Sequence, residues 1–248
     1  MTLLSRTAVL AVLLAALVLP SAARAAAFTA EQRAEIVAIL RDALVNDPTI
    51  LRDAIEALRA DETAKEQMAA KAAVAGIRDK LVDPADPIGG NPNGDITIVE
   101  FFDVRCGYCK RLDPVLTRFI AEDRNIRRVY KDLPILGPAS VLGSKATLAA
   151  AKQNAYEKMR DALMKGGPEI TMASLQTEAK RLGLDWNRLS KDMEDPSVRA
   201  HIDSNLAMAQ ALGIQGTPAM VIGEELVPGA VPLNELRRLV AQARASKS

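Results

Sequence analysis

The stretch FFDVRCGYCKRLDPVL (residues 101–116) constrains this chain more than any other. It holds both cysteines, Cys106 and Cys109, two residues apart. Upstream, ITIVEFF (96–102) is β-branched, aromatic and nearly all apolar, the composition of a buried strand. Downstream the apolar spacing is helical, and Pro114 is expected to kink that helix or to start a new segment. A second strand is predicted at IRRVYKDLPI (126–135). Residues 96–135 therefore read as strand, helix, strand: a parallel pair with a right-handed crossover.

The place of the cysteines decides their chemistry. The start of a helix supplies free N–H donors and the positive end of its dipole, and both favour a thiolate over a thiol. Cys106 is thus expected to ionise readily and to attack disulfides. Cys109, one turn deeper, can attack the resulting mixed disulfide and release the product. Gly107 leaves room for a substrate backbone. A structural staple is a poor alternative, because a bond across two residues closes almost no loop in the unfolded chain. Zinc within the chain lacks ligands: it takes four, and the only histidine, His201, lies in a distant helical pattern and reads as a surface or satisfied core residue. A soft Cu(I) ion is different, since two thiolates can hold it, and this stays open as a second use of Cys106 and Cys109.

The remaining sequence gives the organisation. Residues 1–25 read as a cleaved signal peptide: Arg6, the apolar run AVLAVLLAALVL, then Pro20 and Ser21 before A-x-A sites at 23–25 and 25–27. Residues 28–81 read as helix. Thr29 and Gln32 form a capping box, apolar stripes run through Ile36, Ile39, Leu40, Ala43, Leu44 and then Ile50, Leu51, Ala54, Ile55, Leu58, and Asp47-Pro48 restarts the pattern. After them comes an Ala-, Lys- and Glu-rich stretch with a thin apolar face (Met68, Ala72, Ile77, Leu81), expected as a stalk or oligomerisation segment, with a helix laid on the main domain as the alternative. VDPADPIGGNPNGD (82–95) is dense in Pro, Gly and Asn and reads as a linker. Residues 96–248 form the main domain, with a helical insertion at about 138–212, a hairpin in TPAMVIGEELVPG and a closing helix. With a formal charge of +1, nothing points to nucleic acid or an anionic membrane as a partner.

Strand, CxxC, helix, strand, a helical insertion, then Thr-Pro opening a hairpin and a last helix resembles the thioredoxin fold as elaborated in the DsbA family. VEFFDVRCGYCK and LGIQGTPAMVIG carry the resemblance. The fold it implies is α/β, a DsbA-like thioredoxin domain with an inserted helical domain, preceded by the N-terminal helical segment. It implies a reversible Cys106–Cys109 disulfide with no other cofactor, and Cys106 as the nucleophile. Thr217 and Pro218, the latter as a cis-proline, would face the site and bind substrate beside Gly107 and Tyr108. Glu100 matches the buried acid beneath the site, a carboxylate of raised pKa that takes the Cys109 proton, with Lys131 as its partner. Gly-Tyr between the cysteines and Thr before the proline resemble disulfide isomerases of the DsbC type, and the N-terminal helices resemble ScsC-like members associated with copper tolerance. The function so implied is a periplasmic disulfide isomerase, a homo-oligomer, trimeric in some relatives. It would act on unfolded or mis-oxidised exported proteins, with a membrane redox partner resetting its cysteines. A monomeric dithiol oxidase and a Cu(I)-binding protein are the alternatives.

Overall fold

The computed structural model describes residues 28–166 and 169–246. The expected signal peptide lies outside the described residues. The described chain divides into two compact units, one up to Ala60 and one from Asp61 onward.

The first unit holds helix α1 (Ala30–Asn46) and the start of α2 (Thr49–Ile77). The capping box forms as expected: the Thr29 hydroxyl accepts the Gln32 N–H at 3.2 Å, and the Gln32 side chain accepts the Thr29 N–H at 3.0 Å. Asp47 accepts the Thr49 N–H at 3.1 Å and so starts α2. Ile36, Ile39, Leu40, Leu44, Ile50, Leu51, Ile55 and Leu58 are all exposed. So many exposed aliphatic side chains in one short segment exceed the single scattered apolar residues that an ordinary surface carries.

The second unit is built on a five-stranded sheet in the order β1-β3-β2-β4-β5. Strands β2 (Ile96–Phe102) and β3 (Ile126–Asp132) are the parallel pair, joined through α3 (Gly107–Glu122). The antiparallel hairpin β4 (Ala219–Ile222) and β5 (Glu225–Pro228) extends the sheet beside β2. Between β3 and β4 run α4 (Pro138–Ala151), α5 (Tyr156–Met164), α6 (Met172–Arg181), α7 (Trp186–Asp192) and α8 (Pro196–Ala211). Helix α9 (Leu233–Ala245) closes the chain. Both sheet faces are covered, which explains why β2 is nearly all apolar. Ile96 and Ile98 pack with Leu112 and Leu116 of α3 and Leu236 and Val240 of α9. Val99 and Phe101 pack on the other face with Val74 and Leu81 and with Ala209 and Leu212.

Three readings change. Pro114 lies inside one continuous helix and starts no new segment. The 82–95 stretch is part of the sheet rather than a linker: it contains β1 (Ile88–Gly90), antiparallel to β3, and a buried Asp86. The later part of α2 is laid on the domain: Val74 is buried, Ala73 and Ile77 are partly buried beside it and Leu81 is buried just past the helix, whereas Met68 is 65% exposed. In an Ala-rich helix the apolar contrast is too weak to fix the phase of the stripe.

Candidate active site

Strand β2 ends at Phe102 and α3 begins at Gly107, so the turn between them carries Cys106 into the N-cap position. Its backbone is extended there (φ −69°, ψ 119°), and its carbonyl accepts the Lys110 N–H at 3.0 Å, the first bond of the helix. Cys106 is 7% exposed and Cys109 fully buried. Both are thiols in this structure.

The cis bond between Thr217 and Pro218 places the Thr217 carbonyl over Cys106, whose thiol donates to it at 3.2 Å. Residues 111 apart in sequence thereby meet at the site. The Pro218 carbonyl accepts the Gly229 N–H at 2.8 Å, which ties the proline to the far end of the β4–β5 hairpin. Beside it lies a groove of about 360 Å³ whose lining includes Ile214, Thr217, Pro218, Leu226 and Pro228. Tyr108 projects from α3, 61% exposed, with the Arg111 guanidinium 4.1 Å from its ring centre. A side chain at Gly107 would meet no atom within 4 Å, so the approach to Cys106 from this side is open.

The two thiols differ electrostatically. Burial opposes ionisation of Cys106, but hydrogen bonds from the Thr217 side chain, the Cys109 backbone and thiol and the Tyr108 backbone outweigh it, so its pKa falls below the ordinary thiol value. Cys109 is pushed well above that value, first by burial and then by the negative charge of a Cys106 thiolate. One sulfur is prepared to attack and the other holds its proton.

Glu100 is fully buried in β2, in company the sequence did not suggest. Its carboxylate accepts from Arg128 at 2.6 and 2.9 Å and lies 3.7 Å from Arg160. Both arginines also bind Asp113 of α3, at 2.8 and 2.6 Å. Burial raises the Asp113 pKa, but the two guanidiniums outweigh it and hold the carboxyl below its usual range. Glu100 is thus one of two acids paired with two arginines rather than a lone carboxylate, and its second oxygen is buried without a hydrogen-bond partner. Lys131 is not its partner: the Lys131 ammonium binds Asp86 at 2.6 Å. His201 joins that second cluster, its Nε2 3.3 Å from the same carboxylate. Sequence reasoning missed Arg128, Arg160 and Asp113. It also missed Asp103, whose only local signal is an acid set between an apolar strand and the cysteines.

Over residues 97–241 the chain matches the family model described as "DSBA-like thioredoxin domain", and over 32–65 the model described as "Copper resistance protein ScsC N-terminal domain". A thioredoxin-like oxidoreductase from Silicibacter pomeroyi is 42% identical, with 66% of this chain and 95% of that one covered at a TM-score of 0.65. ScsC of Proteus mirabilis in a transitional conformation is 34% identical, with 89% and 98% covered and a TM-score of 0.63. The thiol-disulfide exchange protein alpha-DsbA2 from Wolbachia pipientis is 28% identical, with 72% and 97% covered and a TM-score of 0.67. Among curated sequences, Na(+)/H(+) antiporter NhaA 3 of Salinispora tropica is 29% identical over 177 residues. That match takes in 69% of this chain but only 27% of the antiporter.

Proposed function

The chain belongs to the DsbA-like thioredoxin family of thiol–disulfide oxidoreductases, and from that premise we propose that it is a periplasmic disulfide isomerase working from a homo-oligomer. The observation that carries this reading is the opposed pair of thiols: Cys106 at the helix N-cap beside an open groove, Cys109 fully buried. In the exchange, the Cys106 thiolate attacks a client disulfide, forms a mixed disulfide and expels a client thiolate. A second client thiolate then attacks the mixed disulfide, and Cys106 leaves as a thiolate with no net oxidation. A resolving thiol that holds its proton attacks slowly, which lengthens the life of the mixed disulfide and gives the client time to re-pair. When Cys109 does attack, it forms the Cys106–Cys109 disulfide and releases a reduced client. A membrane redox partner then returns the pair to the dithiol form. Unfolded or mis-oxidised exported proteins are the clients, held at the groove by Thr217 and Pro218 and next to Cys106 by Gly107 and Tyr108.

Refolding of a scrambled-disulfide ribonuclease tests the reading. The reduced protein is expected to restore ribonuclease activity, and a Cys109→Ser variant to retain part of that effect. No recovery from the reduced protein, together with rapid oxidation of a reduced peptide by the disulfide form, identifies a dithiol oxidase instead. The match of residues 32–65 to a copper-resistance domain favours Cu(I) carriage by the same two thiolates as a second reading. Competition against a Cu(I) chelator checks it; a Cys106→Ser variant that competes as well as the parent removes it.

A further inference from the structure

Asp103 is fully buried between the end of β2 and the cysteines, and no step of the exchange just described uses it. Its carboxylate accepts three neutral donors. Two come to one oxygen, the Arg105 N–H and the Ser140 hydroxyl, each at 2.8 Å, and the Leu136 N–H reaches the other at 3.1 Å. Its backbone carbonyl accepts the Cys106 N–H at 3.0 Å. A second strut runs parallel to these bonds, from the Arg105 guanidinium to the Leu136 carbonyl at 2.8 Å. One side chain thus joins the turn that presents Cys106 to the residues that begin α4.

We propose that Asp103 is a positioning residue for thiol exchange, its carboxylate fastening the turn that holds Cys106 at the N-cap of α3 to the first turn of α4. The inference rests on Cys106 being the attacking thiolate. Cys106 stays at the N-terminal end of α3 only while the turn 103–106 keeps it there, and the bond from the Cys106 N–H to the Asp103 carbonyl closes that turn. The acceptor must be a carboxylate. All three partners are donors, and an amide would turn its NH2 group against one of them.

The test is the pH dependence of Cys106 alkylation by iodoacetamide in the Cys109→Ser background, with circular dichroism and thermal unfolding beside it. Asp103→Asn is expected to keep the fold and to move the titration midpoint up by about one pH unit, about tenfold less thiolate at pH values below both midpoints. Ser140→Ala removes one of the three donors and is expected to shift the midpoint the same way by less. If Asp103→Asn does not fold, Ser140→Ala decides alone: an upward shift supports the proposal, and a curve superimposed on the parent overturns it. Variants that melt earlier yet titrate like the parent also overturn it, leaving Asp103 a stability residue. A parent whose Cys106 titrates like an ordinary thiol removes the exchange reading itself, and this proposal with it.

Discussion

At the scale of the residue, the two thiols couple redox chemistry to stability in opposite senses. Hydrogen bonds keep the Cys106 pKa in the folded, reduced protein below its unfolded value. Its contribution to stability is therefore full above the ordinary thiol value of about 8.5 and is lost as pH falls through the lower, folded value. Cys109 is raised, so its contribution is full below about 8.5 and is lost as pH climbs toward its folded value. Urea unfolding of the reduced protein against Cys106→Ser is expected to show an advantage for the parent that grows from acid pH up to about pH 8.5. A pH-independent difference would contradict the hydrogen-bond account. Glu100 gives a second prediction. It is buried opposite Arg128 and Arg160, so Glu100→Ala leaves guanidinium charge uncompensated in the interior and is expected to cost about 3–5 kcal/mol in the same assay. Cys106, Cys109, Thr217 and Pro218 were legible because their signals are local: spacing, and a proline after a threonine. The arginines were not. Arg128 is 28 residues from Glu100, and Arg160 sits 47 residues from Asp113 in a different helix, so only the folded chain names the partners.

At the scale of the element, β2 was legible to the residue because a strand buried on both faces writes itself as an apolar run. The 82–95 stretch was not, because its Pro, Gly and Asn outweigh a strand of three residues. What stitches that stretch down is long-range: the Asp86 carboxylate meets Lys131 of β3 and His201 of α8. Burial opposes the charge on Asp86, but those bonds hold its pKa below the usual range. For α2 the expected stripe holds at Ile77 and Leu81 and fails at Met68 and Ala72, a difference that can be measured. Val74 is 1% exposed, and Val74→Ala removes about two buried methylene equivalents, an expected loss of about 1.5 kcal/mol. Met68→Ala, at a position 65% exposed, is expected to stay within about 0.5 kcal/mol. Equal effects at the two positions would return the stripe to the phase that the sequence alone suggested.

At the scale of the whole molecule, the exposed aliphatic residues of the first unit bear on assembly. Ile39 and Leu40 are 61% and 55% exposed. Light scattering on the full chain is expected to report an oligomer, and Ile39→Asp with Leu40→Asp to reduce it to a monomer whose Cys106 alkylates at an unchanged rate. Loss of ribonuclease refolding by that monomer, with thiol chemistry intact, would tie isomerisation to assembly. A parent that is already monomeric would turn the reading toward the dithiol oxidase.

The edges of the sheet carry a last consequence. On one side β1 has three residues, two of them glycine; on the other, β5 has four and ends in Pro228, which has no N–H to offer. Unfolded polypeptides carry sticky extended segments that add themselves to any long, flat, unpaired strand. An isomerase acting on unfolded chains, the function proposed above, needs a border that gives them no row to join. These two short margins supply one, so the contact with a client can end when the sulfur chemistry ends.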